Sequence, residues 1–138
     1  MPCLSGKYVP GVGPIVTVGV AKPGTLTPTA PGPTVVAFPA LIDTGATSTC
    51  IAGSVASAVG LMPIGMRPMV SATHSVPVNV YLADLVMPFG VAGLGVSGTQ
   101  LMEFTPHPGA PYQILLGRDI ICQGVLTLSF DGHFTFCL

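Results

Sequence analysis

The sequence predicts an all-β fold, and three observations carry that reading. Runs rich in valine and isoleucine alternate with period two, as in residues 13–20 and 76–82. Stretches of glycine, proline and threonine without periodicity separate such runs, the longest being residues 22–33. The chain closes on residues 125–130, Asp131-Gly132 and residues 133–137, the pattern of a β-hairpin with a type I′ turn.

Taken in order, Ile15, Thr17 and Gly19 alternate against Val16, Val18 and Val20 in the first strand. Residues 22–33 (KPGTLTPTAPGP) are a long loop, a feature that in a small domain tends to be mobile or functional. Residues 34–42 return as a β-branched strand ending on Asp43. A short helix is expected over residues 53–59, with Val55, Ala56 and Val59 on one face, Gly60 as a left-handed stop and Pro63 beyond it.

Val76, Val78, Val80 and Leu82 then alternate with Pro77, Asn79, Tyr81 and Ala83. The phase slips at Asp84, because Leu85 and Met87 carry the apolar parity afterwards, and this predicts a bulge or bend. Residues 85–102 hold no charge, but Pro88, four glycines and Ser97, Thr99 and Gln100 fit strand–turn–strand and not a membrane helix. Residues 100–104 and 112–116 read as strands, and residues 118–123 as a short helix. The sum is eight or nine short strands with one or two short helices, in one domain over residues 1–138.

Composition narrows the function classes. Nearly half the residues are apolar, only 7% are charged, and the formal net charge is −1. Lys7, Lys22, Arg67 and Arg118 are scattered, so no basic stripe exists to hold a nucleic acid. So few charges imply that part of the surface is covered by another subunit or forms an apolar groove. Cys3, Cys50, Cys122 and Cys137 form no CxxC pair and stand beside no histidine at ligand spacing, so no metal site is expected. Residues 1–7 lack a basic segment followed by an apolar one; the cysteines are expected to be reduced, mostly buried thiols in a cytoplasmic protein.

Two segments carry chemistry. Asp43-Thr44-Gly45-Ala46-Thr47 follows the apolar run 35–42. The strand delivers a carboxylate into a dry interior, Thr44 offers a short hydroxyl to neighbouring backbone, and Gly45 leaves room beside Asp43. Alone this is a common turn. The second segment, Ile114-Leu115-Leu116-Gly117-Arg118-Asp119, changes its weight.

Over residues 10–138 the pair resembles the retropepsin family, the retroviral-type aspartic proteases and their cellular and bacterial relatives. The resemblance implies a single-lobe acid-protease fold, a closed barrel in which the two segments cross to form a catalytic floor. It implies catalytic roles for Asp43, Thr44 and Gly45, a substrate-facing Ala46, and structural support from Gly117, Arg118 and Asp119. It places a flap over residues 66–81, with Ser71, Ala72, Thr73 and His74 at the tip touching substrate.

Two departures stand out. Thr47 occupies a position where retroviral enzymes often carry an acid paired with the arginine, so Arg118 needs another partner, such as Asp119 or a backbone carbonyl. The flap also lacks the retroviral glycine run.

Aspartic proteolysis needs two facing carboxylates that share a proton, because like charges about 3 Å apart cannot both ionise. The chain has one Asp-Thr-Gly, so the expected enzyme is a homodimer in which Asp43 of each copy meets across a two-fold axis. The terminal strand 134–138 is expected to pair with its mate. The expected partners are a second copy and a protein or peptide substrate, with no cofactor, nucleic acid or membrane. A dimeric peptide-binding scaffold that has lost turnover is the alternative. Asp84, Glu103 and Asp131 read as surface or turn residues, His107 as loop and His133 as part of the last strand. No histidine is placed beside a nucleophile, so a triad hydrolase has no support. Met66 and Met69 are candidates to line an apolar groove.

Overall fold

The computed structural model describes residues 1–26 and 35–138, so most of the predicted loop at 22–33, and Thr34, lie outside the described residues. The elements are β1 (Cys3–Val9), β2 (Gly13–Ala21), β3 (Val36–Ile42), β4 (Cys50–Ala52), α1 (Gly53–Val59), β5 (Gly65–Val70), β6 (Ser75–Met87), β7 (Leu94–Phe104), β8 (Ile114–Leu116), α2 (Arg118–Ile121), β9 (Val125–Leu128) and β10 (His133–Cys137). The strands pair in the order β5-β6-β7-β4-β8-β3-β2-β1-β10-β9. A further pairing of β6 with β2 closes six of them, β6, β7, β4, β8, β3 and β2, into a barrel. The all-β, closed-barrel expectation with two short helices holds.

Alternation builds the barrel wall. Val16, Val18 and Val20 of β2 are buried, as are Phe38, Ala40 and Ile42 of β3, and they meet Leu85, Leu101, Ile114 and Leu116 in one core. Burial of β-branched and leucine side chains of this size is the main favourable term, about 1.5–3 kcal/mol for each one fully enclosed. The helix over 53–59 forms as expected: Val55 and Ala56 are buried, and Gly60 at φ 82° donates its N–H to the Ala56 and Ser57 carbonyls.

The long strand β6 serves two structures. Its first half pairs with β5 as a hairpin, with Val70 opposite Ser75, and its second half enters the barrel. The change shows in burial: residues 75–77 are exposed, whereas Val80, Tyr81, Ala83, Leu85 and Met87 are buried. The buried parity therefore moves to the odd positions already at Tyr81, earlier than the alternation predicts. The register shift falls between Ala83 and Leu85, where the phase slip placed it.

Asp84 overturns its surface reading. It is only 1% exposed, and it accepts hydrogen bonds from the backbone N–H groups of Thr25 (3.1 Å), Leu26 (3.3 Å) and Gly98 (2.9 Å). A bulge leaves ladder N–H groups without strand partners, and this carboxylate supplies acceptors to one of them and to the β2 exit. Glu103 is also drawn inward: the Tyr81 hydroxyl donates to its Oε1 at 2.5 Å. Burial first, and then that hydrogen bond, push the Tyr81 phenol above its ordinary range.

Outside the barrel, β1, β10 and β9 form a three-stranded extension. β1 was not anticipated: its residues are at best half-buried, so no apolar face marks it. Three further expectations are corrected here. β10 is flanked by β1 and β9 of its own chain, so the terminal strand has no edge left for a mate. The hairpin turn is not type I′, which needs positive φ at both central residues; only Gly132 is left-handed, at φ 85°, while Gly132 N–H donates to the Ser129 carbonyl and Ser129 N–H to His133. Finally, Cys3 and Cys137 stand opposite each other in the β1–β10 ladder and form a disulfide; only buried Cys50 and exposed Cys122 are free.

Candidate active site

The barrel topology brings the two predicted segments together. β8 slots between β3 and β4, parallel to the first and antiparallel to the second. The loop joining β3 to β4, which begins at Asp43, must therefore bridge across the end of β8, where Gly117, Arg118 and Asp119 lie. Backbone bonds close the crossing: Asp43 N–H donates to the Leu116 carbonyl (2.9 Å), Arg118 N–H to Ala46 (2.8 Å) and Asp119 N–H to Thr47 (3.3 Å).

Asp43 is half-buried, and one carboxylate oxygen accepts the Gly45 N–H at 2.9 Å. The other oxygen has no partner among the described residues. A Cβ on Gly45 would stand 3.2 Å from that first oxygen, so glycine keeps the approach to the carboxylate open. Thr44 is exposed; its carbonyl accepts from Arg118, and its hydroxyl bonds to nothing among the described residues.

Arg118 finds its partners within the loop it underpins. Its guanidinium donates to the Thr44 carbonyl at 3.0 Å and to the Thr47 hydroxyl at 3.1 Å. The threonine that removes a carboxylate from this position thus still serves the arginine, through oxygen without charge. Asp119 is not its partner.

Asp119 turns instead to Thr49, which sequence reasoning missed. Thr49 is fully buried; its hydroxyl donates to Asp119 at 2.7 Å, its N–H donates to the other carboxylate oxygen at 3.0 Å, and its hydroxyl accepts the Gly117 N–H at 3.1 Å. One threonine therefore locks both segments. The available signal was that Thr49, last of the three hydroxyl residues Thr47-Ser48-Thr49, abuts the apolar run 50–52, a place where an unpaired polar group would be costly. Gly117 is required by contact: a Cβ there would lie 2.5 Å from the Ser48 carbonyl carbon. Cys50, buried at the start of β4, donates its thiol to the Ser48 carbonyl at 3.3 Å, and the thiol is pushed up to about 11 by burial first and then by the Asp119 and Asp43 charges.

Ser71, Ala72, Thr73 and His74 occupy the tip of the β5–β6 hairpin, as expected for a flap. The tip is self-contained: Ser71 N–H donates to the His74 carbonyl at 2.8 Å, His74 N–H to the Ser71 hydroxyl at 3.1 Å, and the Thr73 hydroxyl lies 2.7 Å from His74 Nδ1. No hydrogen bond joins it to the Asp43 loop among the described residues, so the fold groups Asp43–Ala46 with Gly117–Asp119 and leaves the four tip residues on a separate arm. Met66, Val70 and Val76 on that arm are exposed, and a small cavity of about 100 Å³ at its root is lined by Ile64, Gly65, Met66, Arg67, Val80 and Gln100. A larger cavity, about 320 Å³, lies elsewhere, between Lys22, Thr25, Val36, Ala58 and Val59, and no carboxylate among the described residues lines it.

No protein-family model and no curated protein sequence matches this chain. Among solved structures it is similar to a retropepsin-like aspartic protease from Rickettsia conorii, with a TM-score of 0.62 and 10% sequence identity over 97% of this chain and 89% of that one. At that identity the likeness speaks for the fold alone, and the fold of this chain is retropepsin-like.

Proposed function

We propose that the chain is one subunit of a homodimeric aspartic endopeptidase, in which Asp43 and its counterpart in a second copy activate a water against a peptide carbonyl. The observation that carries the reading is the Asp43 carboxylate itself. It is held by backbone at the crossing of two loops, with one oxygen committed to Gly45 and the other without a partner among the described residues. A second carboxylate facing it would share one proton, leaving an acid and a base side by side.

The second copy completes what one chain lacks. Thr44, next to Asp43 in sequence, offers a hydroxyl without a partner among the described residues. The seam lies at the free edge of β9, because both edges of β10 are taken, and exposed Val125, Leu128 and Phe130 give that edge apolar surface to bury. The exposed apolar side chains on the β5–β6 hairpin favour extended peptides with hydrophobic residues near the scissile bond, the hairpin closing over them as a flap.

The test is a mixing experiment with Asp43→Asn. Wild type should cleave a diverse peptide library, best in mild acid, about pH 4–6. The variant alone should not cleave, and excess variant should suppress wild type by forming dimers with one carboxylate. Equal cleavage by both proteins, or wild-type activity indifferent to added variant, refutes the paired-carboxylate mechanism.

A further inference from the structure

Proteolysis leaves one feature of this molecule without a role: the bond between its two ends. Cys3 and Cys137 are cross-strand neighbours in the β1–β10 ladder, and their disulfide spans 134 residues of sequence. We propose that this disulfide is a redox latch on the N-terminal strand, opened by a dithiol reductant without unfolding the barrel.

Three observations separate a latch from a general staple. Cys3 is exposed, so a thiolate can reach its sulfur. β1 carries no fully buried side chain: its burial alternates between exposed and half-buried, and Leu4 and Tyr8 only rest against the core. Its release therefore opens no cavity in the barrel. Apart from the disulfide, β1 is held by five residue pairs to β10, two pairs to β2, a Tyr8 N–H bond to the Gly132 carbonyl (2.7 Å), the Ser5–Thr135 hydroxyl contact at 3.0 Å and a Tyr8–Phe134 stack at 6.5 Å, with the Leu138 N–H donating to the Pro2 carbonyl (3.0 Å) just before it. A strand with so few buried contacts belongs to the low-stability end of a fold, where local opening occurs first.

The chemistry balances as ordinary exchange. A reductant thiolate attacks the Cys3 sulfur, the sulfur–sulfur bond breaks, and Cys137 leaves as a thiolate that takes up a proton. The reductant's second thiol then displaces Cys3, so the reductant ends as a disulfide and the protein as two thiols. With the latch open, β1 can leave β10 and uncover a second sheet edge beside that of β9.

The experiment uses the full chain with Cys122→Ser, which removes the exposed free thiol and prevents disulfide rearrangement. Alkylation in denaturant, read by intact mass, should count one thiol in protein not treated with dithiothreitol (Cys50) and three after treatment. Amide hydrogen exchange should then quicken by about tenfold or more along β1 and at its partners in β10, while β2 and β3 keep their protection. Cys3→Ser together with Cys137→Ser should reproduce the reduced pattern in a folded protein. Three thiols in the oxidised sample would show that no bond forms. Unchanged protection of β1 on reduction would show that the strand needs no latch, and loss of protection throughout the barrel would show a staple; each of these overturns the proposal.

Discussion

The Arg118 guanidinium donates to the Thr47 hydroxyl across 3.1 Å, joining the residue after Gly117 to the fourth residue beyond Asp43. An arginine–carboxylate pair would make the same connection with charge. Here a neutral oxygen makes it, at the surface, together with the Thr44 carbonyl.

Thr47→Val should cost about 1 kcal/mol of stability, the ordinary worth of one hydrogen bond, and Arg118→Ala more, about 2 kcal/mol, since both of its bonds go. Thr47→Asp should restore or slightly exceed wild-type stability, within the ~0–1 kcal/mol of an exposed ion pair. Urea melts of the three variants decide this. A Thr47→Val protein as stable as wild type would mean that the hydroxyl contact contributes nothing.

Gly117→Ala tests the crossing of the two loops. The added methyl would meet the Ser48 carbonyl carbon at 2.5 Å and its oxygen at 2.7 Å, both backbone atoms that no rotamer change can move. A loss of about 3 kcal/mol is expected, with the Asp43 loop displaced. Thermal melts read the first effect, and the exchange rate of the Asp43 amide, which now donates to Leu116, reads the second. Retention of both values would remove the close approach as the reason for glycine.

Asp84→Ala should be among the most damaging single changes outside the site. It strands three backbone N–H groups that the carboxylate now satisfies, at about 1–3 kcal/mol for each that water cannot reach. Asp84→Asn, which keeps one acceptor oxygen, should fall between wild type and alanine. Exchange of the Thr25, Leu26 and Gly98 amides should rise first, and uniform change across the chain would contradict a local brace.

The two free thiols should separate cleanly by reactivity. Near pH 8, iodoacetamide should label exposed Cys122 and spare Cys50, whose buried thiol is pushed up to about 11. Because the folded value lies above the ordinary 9.0, the contribution of Cys50 to stability is complete below about pH 9 and is lost as pH rises through about 11. Asp43→Asn removes one of the charges that raise it, so the Cys50 titration in that variant should move down. Cys50 labelling as fast as Cys122 in the native protein would contradict its burial.

Much of this architecture was legible because period and punctuation agreed. Residues 13–20 alternate and are a strand; Gly60 ends a helix where its left-handed φ was needed; the slip at Asp84 marks a real register shift. Both halves of the site announced themselves as apolar strands that end on polar residues. What was missed depends on who stands opposite whom. β1 has no buried face to betray it, and β4 is three residues long with no room for alternation. The Cys3–Cys137 bond exists only because two strands from opposite ends of the chain align in register. The inward turn of Asp84 and the Thr49–Asp119 pairing likewise depend on partners 14 to 70 residues away.

The slot that β8 fills has a consequence in time. Until Ile114–Leu116 arrives between β3 and β4, those strands have no neighbour on their facing edges and the loop beginning at Asp43 has nothing to bridge. A chain ordered only through β4 therefore holds Asp43 but not its setting. The carboxylate acquires its geometry late in folding, when a strand about seventy residues further along the sequence inserts between the two strands that flank the Asp43 loop.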